Sequence, residues 1–265
     1  MKLNKQSPEP LYYQLAELLR EKIRLGQLLP GDQLPAEREL AEQAGISRMT
    51  VRQALIHLVR DGDLEVKPGV GTFVAEPKLT YDALHLLGFT EEVMRQGDIA
   101  TSRVLEQAQS VVPPGRVALC LNLSPDDPVI KIVRLRLSGK VPLLLETIYL
   151  PAVLCPGLET VDMATTSLYA LLEQQYHLSL SRARQTLEAT IANDYESTLF
   201  EIEPDTPMIL LEGVTYDIED RPVEYFKVVY RGDRVKLELE SRRHGGEDTG
   251  GLPRLNILLE TDHRL

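Results

Sequence analysis

Very little in this chain could cross-link it. It has two cysteines, Cys120 and Cys155, too few for a disulfide framework, so both are expected as buried thiols in a reducing compartment. Neither lies near a His and Cys cluster with zinc spacing, and neither a metal nor another cofactor is expected. No apolar run is long enough to span a bilayer, and no charged-then-apolar leader opens the chain. A soluble, cytoplasmic protein with no membrane partner is the expectation. A basic excess is also missing, since the net charge is -11. Residues 1–76 hold 10 of the 29 Lys and Arg and 11 of the 40 Asp and Glu, leaving 19 against 29 in the remainder. A nearly neutral front part cannot hold nucleic acid by bulk charge and would need a few placed arginines. The acidic remainder would keep non-specific binding low. With 265 residues, 43% of them hydrophobic, the chain can bury two cores.

The most informative stretch is residues 34–55. Residues 36–44 read as a short helix closed by Gly45, which enters the left-handed region at little cost. Ser47 is placed to cap a second helix. There Val51, Ala54, Leu55, Leu58 and Val59 recur at helical spacing and define an inward face. Arg48, Thr50, Arg52 and Gln53 are left on or near the other side. This is the pattern of a helix-turn-helix whose second helix presents hydrogen-bonding side chains. His57 lies beyond its first turns and is expected at the surface or a dimer contact rather than on a base.

Upstream, Pro8 and Pro10 can begin a helix, and Leu11, Leu15, Leu18, Leu19 and Ile23 form its inward stripe, ended by Gly26. Downstream, Asp61-Gly62 breaks the helix, and residues 63–74 read as two short strands with a glycine-rich tip. Residues 76–86 are a linker candidate. Beyond them the texture is α+β. Thr90 is a candidate cap for a helix to residue 96. A strand is expected over 104–112, a helix over 116–121, and strands at 129–137 and 142–150 around Ser138-Gly139-Lys140. A helix at 166–176, a strand at 182–191, a helix at 195–200 and strands at 208–217 and 222–230 complete the order. The two hairpins echo each other, each placing a proline (Pro142, Pro222) between a polar turn and an apolar strand, which suggests a weakly duplicated sheet. Residues 241–265 are polar and glycine-rich, and a flexible tail is expected there.

Leu34-Pro-Ala-Glu-Arg-Glu-Leu40, Ser47-Arg-Met-Thr-Val-Arg-Gln-Ala-Leu55 and Pro68-Gly-Val-Gly-Thr-Phe-Val74 occur in order, and together resemble the DNA-binding domain of the GntR family of bacterial transcription regulators. The likeness covers about residues 8–75. It implies a winged helix-turn-helix (residues 1–75) in which Arg38, Ser47, Arg48, Thr50 and Arg52 face an operator in double-stranded DNA, with Gly69 near the wing tip. Gly88-Phe-Thr-Glu-Glu92, Arg134-Leu-Arg136, Pro142-Leu-Leu-Leu-Glu146 and Ser167-Leu-Tyr169 resemble, more loosely, the UTRA effector domain of the HutC subfamily. That implies a chorismate-lyase-like α+β antiparallel-sheet domain over residues 87–240.

Arg134 and Arg136 are two apart on a strand and therefore share a face with Ile130 and Ile132. Guanidiniums on an apolar face need anions. Glu146, Glu188 or Glu224 could supply them as ion pairs, or a ligand phosphate or carboxylate could, since arginine offers a flat bidentate donor set. Ser167 at a helix start is either a plain cap or part of an anion site. Glu146, Glu224 and Tyr230 could meet sugar hydroxyls, and Tyr169 could stack on a ring or fill core. The resemblance favours a phosphorylated sugar held by Thr90, Arg134, Arg136 and Ser167. It implies a homodimeric repressor released from a near-palindromic operator. The rival class is a lyase-like enzyme, against which stand the lack of a Ser, His and Asp set and the isolation of His85 and His177. An architectural DNA-bound protein fits poorly with the acidity.

Overall fold

The computed structural model describes residues 3–82 and 85–238; the tail expected at 241–265 lies outside the described residues. The front part holds α1 (Leu11–Arg24), α2 (Glu37–Ala44) and α3 (Arg48–Arg60), then a hairpin of β1 (Leu64–Lys67) and β2 (Gly71–Val74). Pro10 precedes α1 with φ -57, already set for helix entry. Gly45 ends α2 at φ 62 and ψ 40. Ser47 then accepts the Thr50 N–H at 3.1 Å. The apolar stripes meet in one core built from Leu15, Leu19, Leu40, Val51, Ala54 and Leu58. Arg20 ties α1 to the turn after α3 through Asp61 and Asp63, both at 2.8 Å.

The back part is one antiparallel sheet ordered β4-β5-β6-β9-β8-β7. Its strands are β4 (Ala100–Val111), β5 (Val129–Ser138), β6 (Val141–Pro151), β7 (Leu180–Ile191), β8 (Pro207–Asp217) and β9 (Pro222–Arg231). The two expected hairpins, β5–β6 and β8–β9, meet at the centre through β6 and β9, so each half of the sheet mirrors the other. One face is covered by α4 (Phe89–Arg95), α6 (Leu168–Gln174) and a 3-10 turn at Leu158–Thr160. There Phe89, Val93, Leu158, Leu168 and Leu172 pack on Ile130, Ile132, Leu144, Ile148 and Val228. The other face carries α5 (Gly115–Cys120) and α7 (Asp194–Phe200), through Val117 and Leu121 and through Phe200.

Two expectations need correction. The segment 76–86 is not wholly a connector: Leu79–Asp82 forms β3, paired in parallel with β10 (Val235–Glu238). Thr90 is not a cap. Gly88, extended at φ -71 and ψ 152, takes that position, and Thr90 is the second residue of α4.

The parts meet at the base of the wing. Arg234 bonds Glu65 of β1 at 3.0 Å, and Lys78 donates to the Gly232 carbonyl at 2.8 Å. Gly62, at φ +80, lies so close to Asp233 that a Cβ would stand 1.9 Å from its carbonyl oxygen.

Candidate functional site

The outer side of α3 follows from its inner one. Because Val51, Ala54, Leu55 and Leu58 are buried, Arg48, Met49, Arg52, Gln53 and Ile56 are exposed, the last four together with Thr50 lining a shallow concavity. Arg52 is held in a fork by Glu37 of α2, both bonds at 2.9 Å, which also draws the Glu37 carboxyl below its ordinary range. Arg38 pairs with Glu42 one turn on, at 3.1 Å. Exposed pairs of this kind are worth little in water, so a phosphate or a guanine edge can compete for both guanidiniums. Ser47 is spent on capping and Thr50 shares its hydroxyl with Ser47 at 2.8 Å. Gly69 lies at the exposed wing turn with φ +74. His57 is half-buried, edge-on to Tyr12 and 5.7 Å from the Tyr13 ring, so its place is in the packing of α1 on α3.

On the face of the sheet beneath α4 and α6, strand parity sends Arg134, Arg136, Glu146, Glu224 and Tyr230 to one side. All five are buried. The two guanidiniums share one carboxylate: Glu146 Oε1 stands 2.5 Å from Arg134 Nε and 3.2 Å from Arg136 Nη1. Arg134 Nη1 donates to the Met163 and Thr166 carbonyls at 3.3 and 3.4 Å. Arg136 Nη2 donates to Thr90 Oγ1 at 2.7 Å, and its guanidinium lies 4.6 Å over the Phe89 ring. Neither Nε is aligned with an acceptor among the described residues. Burial, against the pull of Glu146, lowers the Arg136 pKa to about 10, so the group is still charged at neutral pH.

Glu224 is the second carboxyl. Burial raises it to about 7 despite hydrogen bonds from Thr215 at 2.6 Å and Tyr169 at 3.0 Å. Near pH 7 Glu224 is therefore a weakened partner for the two guanidiniums, which share the Glu146 carboxylate. Two buried guanidiniums on one shared carboxylate favour a further anion. Glu188, the third partner considered, is on exposed β7 and pairs with neither arginine. Ser167 caps α6 by accepting the Ala170 N–H at 3.4 Å. Tyr169 combines packing on the core with its bond to Glu224. Thr215 and Phe89 were not foreseen. Thr215 was accessible from the hairpin register, which sets it opposite Glu224.

Residues 11–74 match the gntR family of bacterial regulatory proteins, and residues 95–236 match the UTRA domain. The chain is a member of the GntR family. Among its relatives, the HTH-type transcriptional repressor NagR of Bacillus subtilis is 38% identical over 88% of this chain and 96% of its own length. The mannosyl-D-glycerate transport/metabolism system repressor MngR of Escherichia coli is 32% identical over 89% and 97%. The crystal structure of PhnF from Mycobacterium smegmatis, 33% identical, matches with a TM-score of 0.60 over 86% of this chain and 99% of its own. In GntR-family terms, α1 to β2 form the winged helix-turn-helix and the six-stranded sheet belongs to the UTRA domain. No helix among the described residues is long and apolar enough to cross a membrane.

Proposed function

We propose that this chain is a cytoplasmic, homodimeric repressor that leaves a near-palindromic operator when a phosphorylated sugar, an amino sugar phosphate foremost, binds between β5 and α6. The buried Arg134 and Arg136 pair, sharing a single carboxylate and retaining unaligned Nε donors, carries this reading. In it the two guanidiniums, with Thr90 and Ser167, take the phosphate, since arginine matches its geometry in a bidentate fork. Glu146, Glu224, Tyr169 and Tyr230 take the sugar. The name of the relative MngR, with its mannosyl-D-glycerate system, supports a sugar-derived ligand. Arg38, Ser47, Arg48, Thr50, Arg52 and Gly69 form the operator face.

The ligand must bind the DNA-free conformation better than the DNA-bound one, and its leverage is limited by that difference. Anisotropy of a labelled operator, titrated with hexosamine phosphates and with inorganic phosphate, tests this. Release by one hexosamine phosphate, lost in Arg134→Ala, is expected. If no phosphorylated sugar alters operator affinity, the reading fails. A carboxyl near pKa 7 also suits general acid–base chemistry, and recovery of the sugar unchanged after incubation separates a sensor from a lyase-like enzyme.

A further inference from the structure

The wing is supported along its lower half by a third segment. Residues 31–34, between α1 and α2, lie along β2. Gly31 N–H donates to the Val74 carbonyl, Val74 N–H to the Asp32 carbonyl and Leu34 N–H to the Thr72 carbonyl, each at 2.9 Å. Gln33 stands opposite Phe73. Pro35, which has no N–H, follows, and the chain enters α2 at Glu37. Among the described residues this row of backbone bonds therefore runs no further than Thr72.

The tip extends past it. Val70 N–H donates back to the Lys67 carbonyl at 3.0 Å, with Pro68 second in the turn and Gly69 third at φ +74, as a type II turn requires. That bond closes the turn. It leaves the peptide between Val70 and Gly71 in a stretch with glycine on both sides of Val70, where the backbone is at its most permissive.

A side chain from the supporting segment reaches this peptide. Gln33 Nε2 donates to the Val70 carbonyl at 3.0 Å. Its room depends on residue 71 being glycine: at φ +151, a Cβ there would stand 2.5 Å from Nε2. Because the peptide unit is planar, fixing the carbonyl fixes the plane of the whole unit. Released, the carbonyl would be free to swing its negative end toward a DNA phosphate.

We propose that Gln33 is a positioning residue for operator binding: its carboxamide, seated where Gly71 has no side chain, turns the Val70 carbonyl toward residues 31–34 and so sets the attitude of the tip that carries Gly69. This rests on the operator face proposed above, in which Gly69 meets DNA. Gln33 acts through the wing and not by touching DNA itself.

Fluorescence anisotropy tests this, using the full chain and a duplex that the native chain selects from a randomised pool. Backbone amide exchange of the DNA-free protein is measured beside it, and circular dichroism confirms that each variant folds. Gln33→Met keeps the length of the side chain and removes the donor. It should weaken binding roughly three- to tenfold, the range of one hydrogen bond, and speed exchange at residues 69–71 alone. Gly71→Ala displaces the same carboxamide and should weaken binding at least as much. The double variant Q33M/G71A should bind no more weakly than Gly71→Ala, because both changes remove one bond. Gly69→Asp, which adds bulk and negative charge at the tip, should weaken binding further than any of these. If Gly69→Asp binds like the native chain, the wing is off the DNA, and the operator face falls together with this role. If Gly69→Asp weakens binding but Gln33→Met does not, or if the Gln33 and Gly71 losses simply add, the positioning role alone is overturned. A Gln33→Met variant that binds weakly with unchanged exchange at residues 69–71 overturns it too, since Gln33 then acts by direct contact with DNA.

Discussion

Replacing Glu224 by Gln gives a direct reading of how the buried cluster is charged. The carboxyl is raised from 4.5 to about 7, chiefly by burial. In the folded chain it keeps its proton across an interval where the unfolded chain has already released it. Between these two values the folded state holds the extra proton, so its stability falls as pH rises from 4.5 toward 7 and is level beyond. At roughly 1.4 kcal/mol per tenfold in proton affinity, the total loss is about 3 kcal/mol. Gln cannot ionise, and its carbonyl oxygen can still accept from Tyr169 and Thr215. Glu224→Gln should match the native chain at pH 5 within about 1 kcal/mol and exceed it at pH 8 by about 3 kcal/mol. Urea titrations from pH 5 to 8, followed by tyrosine emission, measure this. The chain has no tryptophan, and of its tyrosines only Tyr12 and Tyr13 belong to the helix-turn-helix, so the signal reports mainly on the sheet domain. Other titrating groups cancel in the difference between the two chains. If the two pH profiles run parallel, Glu224 is ionised throughout and the charge balance drawn for the site is wrong.

Arg48→Ala and Arg52→Ala should each weaken operator binding about tenfold or more while leaving effector binding unchanged, and Arg52→Ala also frees Glu37 to repel phosphate; full affinity in both variants refutes the reading face. Ser47→Ala removes the acceptor for the Thr50 N–H and should cost about 1 kcal/mol of stability in urea; an unchanged midpoint would show that the cap contributes nothing. Gly62→Ala drives a methyl into the Asp233 carbonyl from a φ of +80, so calorimetry should show the front domain melting apart from the sheet at lower temperature; a single unshifted transition refutes the interdomain docking.

The front domain was legible because its signals are local. Gly45, Ser47 and the helical recurrence of Val51, Ala54, Leu55 and Leu58 each act within a turn or two. Strand parity likewise put Arg134 and Arg136 on one face of their strand. That one carboxylate would serve both arginines depends on the β5–β6 register, Arg134 opposite Glu146. Thr90 was misplaced because threonine is a favoured cap, whereas extended Gly88 reaches that position first; its hydroxyl instead meets Arg136 only after α4 folds over the sheet. The pair β3–β10 was missed because four-residue strands joined in parallel across almost the whole sheet domain leave no local pattern. Glu224 could be placed on a face but its protonation could not, since that follows from complete burial.

The same strand that carries Glu224 and Tyr230 leads out of the site toward the DNA-binding domain. β9 ends at Arg231, and the following turn is fixed from both sides. Arg231 grips Asp233 at 3.0 and 2.6 Å, Lys78 holds the Gly232 carbonyl, and Arg234 reaches Glu65 at the wing. At the other end of β9, Glu224 faces Thr215 and Tyr169, and Tyr169 belongs to α6, whose cap Ser167 adjoins the Thr166 carbonyl bonded by Arg134. On the function proposed above, an anion drawn to the arginines would compete with Glu146 and with those carbonyls, and α6 and β9 would adjust together. A packed sheet does not bend continuously, so on that proposal a shift of β9 along its axis would reach the turn whose Asp233 carbonyl lies against Gly62. Gly62 follows directly on α3 through Asp61. On the proposed mechanism the contact of Asp233 with Gly62 would carry the effector's influence to the recognition helix, and its leverage on the operator would be bounded by how differently that contact packs in the two states.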